Sequence, residues 1–118
     1  MDNNTTQAEF DESAVTELRE DLGPESFGRL IATCIDDVRR RIDALDSLAG
    51  SEATRGLAHQ LRGLFAQFGA VQAAQAAAAT ELSDEHSFTE NLQRLKQYAA
   101  RALEKFKTIR DAEVPSES

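Results

Sequence analysis

His59, Arg62 and Gly63 stand close together in the stretch LAHQLRGLFAQFG, residues 57–69. On a helix the arginine lies one turn beyond the histidine, and the glycine lies beside it. A neutral imidazole nitrogen is a competent nucleophile near pH 7, because its reference pKa is roughly 6.5. Bonded to phosphorus it would carry a dianionic group, which a guanidinium one turn away steadies with directional hydrogen bonds. A mid-helix glycine costs about 1 kcal/mol relative to alanine. Gly63 repays that cost by clearing a side chain from beside the ring and admitting a partner's loops. Gly56 lowers the rim on the other side.

Such chemistry requires the histidine to face outward. At about 100° per residue, Leu57, Leu61, Leu64, Phe65 and Phe68 fall within an arc of about 100°, the expected buried face. His59 lies about 170° from the centre of that arc. Arg55 and Arg62 flank it, with Gly63 and Ala66 one and two turns on. Arg55, Gly56, Gln60 and Ala66 form the expected rim against which a protein partner would press. From Ala53 to Thr80 the only formal charges are Arg55 and Arg62, in a chain of net charge −8. The sequence therefore predicts a cationic, acid-free setting for an exposed imidazole.

The rest of the chain supplies the elements that hold this helix. It has 118 residues, 41% of them apolar, enough for one domain with one core. Alanine, leucine, glutamate and arginine are plentiful, and no strand-like alternation occurs. A first short helix fits DESAVTELREDL, capped by Asp11 or Ser13 and stopped by Gly23. Pro24 suits the first turn of a second helix. That helix carries Phe27, Leu30, Ile31, Cys34, Ile35, Val38, Ile42, Leu45 and Leu48 at helical spacing and ends at Gly50. Ser51 caps the third helix, which runs to about Gly69. A fourth covers AVQAAQAAAATEL and stops near Ser83 and Asp84; its alanines leave its inward face unassigned. A fifth begins near Ser87, with Phe88, Leu92, Leu95, Ala99, Ala102, Phe106 and Ile109 on one stripe. The expected fold is all-α: an antiparallel up-and-down four-helix bundle with a short extra N-terminal helix. Residues 1–9 and 112–118 read as flexible tails around a domain spanning 10–111.

Composition excludes several functions. The acidic balance disfavours a nucleic-acid surface and an anionic membrane face. No apolar run approaches the roughly 20 residues that span a bilayer. The polar, acidic start is unlike a signal peptide, and a lone cysteine fits a reducing cytoplasm. One cysteine and two histidines cannot build a usual structural zinc site. His86 and Glu90 have a metal-compatible spacing, but the histidine sits among Asp84, Glu85 and Ser87 and reads as a solvated or capping residue. No P-loop, nucleophile elbow or dinucleotide fingerprint occurs. Cys34 is in phase with the core stripe, and the charges of DDVRRR and RLKQYAARALEKFK read as solvated faces.

Residues 58–70, AHQLRGLFAQFGA, resemble the signature of histidine-containing phosphotransfer (HPt) domains, H-x-L-[KR]-G-x-x-x-x-x-G-A. His59, Leu61, Arg62, Gly63, Gly69 and Ala70 carry the match, and the resemblance extends over residues 10 to 110. It implies a phosphocarrier without an ATP site, not an enzyme acting alone. His59 would take a phosphoryl group at the ring nitrogen remote from the backbone, from a receiver-domain aspartate, and pass it to another. Arg62 would assist the phosphoryl group, Gly63 would permit close approach, and Gly69 would mark the turn out of the helix. The implied partners are receiver domains of response regulators or hybrid histidine kinases. The implied magnesium belongs to the receiver, so no metal or cofactor is expected on this chain, which reads as a cytoplasmic monomer. Leu64 and Phe65 depart from the small or hydroxyl residues usual after the glycine, and Ala73 and Ala77 replace larger apolar residues. Gln72 and Gln75 are candidates for a fourth-helix contact by residue type alone. The competing reading is a helical-bundle adaptor that binds a receiver or regulator without phosphate transfer.

Overall fold

The structure is a computed structural model that describes residues 8–47 and 51–113. It is all-α, with five helices: α1 (Glu12–Leu22), α2 (Pro24–Ser47), α3 (Ser51–Gln67), α4 (Val71–Leu82) and α5 (Glu85–Glu113). The expected end of the second helix at Leu48 and Gly50 lies outside the described residues, as do residues 1–7 and 114–118 of the expected tails.

Short-range chemistry sets most boundaries. The Asp11 side chain accepts from the Ser13 backbone N–H at 3.1 Å and caps α1. Gly23 ends α1 at φ +84°, a conformation that favours glycine. Pro24 then opens α2 at once, where its missing N–H costs nothing. The fifth helix starts two residues earlier than expected, because Asp84 accepts from the Ser87 N–H at 2.9 Å and does the capping itself.

Four helices pack in a ring, α2 on α3, α3 on α4, α4 on α5 and α5 on α2, while α1 packs on α2. The core is the stripe of each: Phe27, Ile31, Ile35 and Val38 from α2, Leu61 and Phe65 from α3 with Phe68 just past its end, and Leu95, Ala99, Ala102 and Phe106 from α5, all essentially without exposure. Phe68 stacks obliquely between Phe27 and Phe106, with ring centroids 6.4 and 5.5 Å away. Each such ring contributes roughly 1.5–3 kcal/mol by leaving water, so α3 is pinned from two sides. The ambiguous fourth helix turns Ala73, Ala76, Ala77 and Thr80 inward. Small side chains let it lie close on its neighbours. The buried Thr80 hydroxyl is satisfied 2.9 Å from the Ala76 carbonyl and 3.1 Å from that of Asn91. Cys34 is buried as the stripe predicts, and burial, with Asp37 nearby, pushes its thiol up to about 12.

A short strap precedes α1. The Glu9 carbonyl accepts from the N–H groups of Val71 and Gln72 at 3.0 and 3.3 Å, and the Asp11 N–H donates to the Gly69 carbonyl at 2.7 Å. Ala70 has no side chain with which to cap α4, so the strap backbone takes that role. The Glu9 carboxylate also meets the Arg101 guanidinium at 2.5 and 2.6 Å. Glu9 therefore belongs to the folded unit, not to the tail that the sequence suggests. At the other end α5 continues to Glu113, whose carboxylate is 2.7 Å from Arg19 of α1. Gly69 sits under the strap at φ +75°, where a Cβ would stand 2.4 Å from the Asp11 carbonyl oxygen.

Candidate functional site

The buried arc of α3 holds Leu61, Phe65 and Phe68 as expected, and it is widened toward Thr54 and Ala58. Leu57 and Leu64 are only partly buried at its edge. His59 remains on the outer side, its side chain 68% exposed. Arg62 is 50% exposed one turn further on.

The setting is not acid-free. Glu81, at the last turn of α4, reaches across to both residues. Its Oε2 lies 2.8 Å from His59 Nδ1, and its Oε1 lies 3.2 Å from the Arg62 guanidinium. Partial desolvation pushes the Glu81 carboxyl up, but the hydrogen bonds and charges of His59 and Arg62 together hold it below its usual range. The carboxylate is ionised at neutral pH and accepts both bonds. The missed residue is 22 positions from His59 in sequence. It is the first charge beyond Thr80, just outside the stretch whose charges flank the histidine along the chain.

A carboxylate at Nδ1 favours a proton on that nitrogen, donated to Glu81; in the neutral ring the lone pair then falls on Nε2. Among the described residues Nε2 has no partner. The ring is thus held through Nδ1 on a largely exposed side chain, an arrangement in which Nε2 can act as a nucleophile.

An open groove of about 790 Å³ lies beside the ring between α3 and α4, lined by Glu52, Arg55, Gly56, His59, Gln60 and Glu81. It opens on the Gly56 side of the ring. Gly63 lies on the other side, and Cβ atoms built on Gly56 or Gly63 would meet nothing within 4 Å. Ala66 is exposed further along the same helix. Two rim residues have structural partners. The Arg55 guanidinium donates to the Ser83 carbonyl at 2.6 Å and lies 4.8 Å over the Phe88 ring, fastening α3 to the α4–α5 turn. The Gln60 side-chain oxygen accepts from Arg41 of α2 at 2.8 Å. The structure thus gathers His59, Arg62 and Glu81 into one cluster and leaves both glycines beside it unobstructed.

Family models, curated proteins and solved structures give no match to the chain. The remaining candidates lie elsewhere. Gln72 and Gln75 line a separate groove with Arg94 and Tyr98, between α4 and α5. His86 is exposed at the start of α5. Among the described residues no group of three or more His, Cys, Asp or Glu side chains is arranged to hold a metal ion. No helix there is long and apolar enough to cross a membrane.

Proposed function

We propose that this protein is a histidine phosphotransfer carrier, an antiparallel up-and-down four-helix bundle with a short N-terminal helix, and that His59 carries the phosphoryl group. One observation supports this reading above the others: an exposed imidazole whose Nδ1 is held by a carboxylate and whose Nε2 has no partner among the described residues, with a guanidinium one turn away. The Nε2 lone pair forms a bond to the phosphorus of an aspartyl phosphate on a receiver domain. The phosphorus–oxygen bond breaks, and the receiver carboxylate leaves with its electron pair. The Nδ1 proton stays in place, shared with Glu81. Onward transfer to a second receiver reverses the same steps. Magnesium sits with the receivers, which belong to response regulators or hybrid kinases, and the carrier acts as a cytoplasmic monomer.

Solvent exposure serves this role because donor and acceptor are both proteins that must bring an aspartate within bonding distance. The glycines on either side of the ring serve it too. The test is transfer from a ³²P-labelled receiver. Label should reach the protein in an acid-labile, base-stable form, and His59→Gln should abolish it. Label retained by that variant refutes the assignment. Receiver binding without label in the wild type would establish an adaptor instead.

A further inference from the structure

Resting on the phosphotransfer reading, the geometry points to Glu81 as a latch on Arg62: by holding the guanidinium it withholds stabilisation from the phosphohistidine and keeps the phosphoryl group easy to pass on. The two oxygens of one carboxylate divide the work, one at His59 Nδ1 and the other at Arg62. Arg62 makes no other hydrogen bond or ion pair among the described residues. Its charge is already committed before any phosphoryl group arrives.

On phosphorylation Nε2 gains a dianion while Nδ1 keeps its proton, leaving a positive ring. Glu81 then attracts the nearby ring and repels the more distant dianion, and these two effects nearly offset one another. What remains is competition for Arg62. The guanidinium can serve the phosphoryl oxygens fully only by leaving Glu81, and the lost ion pair is subtracted from the gain. A carrier that must release its cargo benefits, because too strong a guanidinium–phosphoryl bond would make the phosphohistidine a trap. Glu81 is in this sense a positioning residue: it acts through Arg62 and keeps the transfer potential high.

The probe is free imidazole, whose N-phosphoryl derivative exchanges its group with His59: N-phosphoimidazole plus protein gives imidazole plus phosphoprotein. Phosphorus NMR reads the equilibrium constant directly, and thermal melting verifies that each variant is folded. Glu81→Gln keeps an acceptor for Nδ1–H but removes the charge that holds Arg62. It should shift the equilibrium toward phosphoprotein about two- to fivefold, the worth of one surface ion pair. Arg62→Ala should shift it the other way, and Glu81→Gln should have no effect in the Arg62→Ala background. The wild-type-to-Glu81→Gln gap should shrink as salt rises. An unchanged constant in Glu81→Gln overturns the latch, and so does an equal shift with Arg62 absent. If the wild type takes no phosphoryl group, or His59→Gln takes as much, the phosphotransfer reading falls and the latch falls with it.

Discussion

Gly63 offers a test in which stability and function should move in opposite directions. It is helical and exposed, and a Cβ placed on it would find, beyond its own stretch of helix backbone and its chain neighbours, no described atom within 4 Å. Nothing among the described residues requires glycine there. Gly63→Ala should therefore stabilise the fold by about 1 kcal/mol, the difference in helix propensity, and raise the melting temperature by roughly 4 °C. Gly63→Gln should keep most of the gain, since glutamine is a good helix former. Its longer side chain, however, stands beside the His59 ring. A displacement of the incoming aspartate by about 1 Å costs on the order of 100-fold in rate, so transfer from a labelled receiver should fall by about that factor. Gly28, on α2, also has open space around it. Gly28→Ala is the control that should stabilise equally and leave transfer unchanged. Circular dichroism melts and single-turnover transfer measure the two effects separately. A destabilised Gly63→Ala would refute the open-space reasoning, and wild-type transfer by Gly63→Gln would remove the explanation for the glycine.

Gly69→Ala should behave in the opposite manner. Positive φ and a Cβ 2.4 Å from the Asp11 carbonyl oxygen together should cost about 2–5 kcal/mol in urea unfolding, and a loss under 1 kcal/mol would mean that the strap yields freely. Glu9 should make the strap sensitive to acid: the Arg101 hydrogen bond holds its carboxyl below the ordinary value of 4.5. Its folded pKa is depressed, so its stabilising effect is fully present above the unfolded value and is lost as pH falls through the folded one. Glu9→Gln should be less stable than wild type at pH 7, with the difference closing below about pH 4. Urea midpoints at pH 7 and pH 3 check this, and a constant difference would contradict it.

How much could be read from the sequence depended on the range of the deciding interaction. Asp11, Gly23 and Pro24 act on their own neighbours: α1 begins and ends, and α2 begins, where those residues dictate. The stripes of α2 and α5 were legible because large apolar residues recur at helical spacing. The face of α4 was not, since alanines on every side give little contrast; packing against α3 and α5 decides it. Glu81 was illegible for a related reason. Its meeting with His59 depends on how far α4 is shifted along α3, and periodicity within either helix carries no such register. Arg55 and Gln60 show the same gap. Their place on the helix surface was readable, but their bonds to Ser83 and Arg41 come from the reach of long side chains between elements.

The strap has a consequence for how this fold can vary. Its hold on the start of α4 runs through the Glu9 carbonyl and the Gly69 carbonyl, groups that every amino acid possesses. Substitution at most strap positions leaves those atoms in place, so the seam can persist while its side chains drift. Only the glycine beneath it is chemically irreplaceable. Distant kin of this chain could share the joint and display nothing of it in sequence except one small residue after the histidine helix.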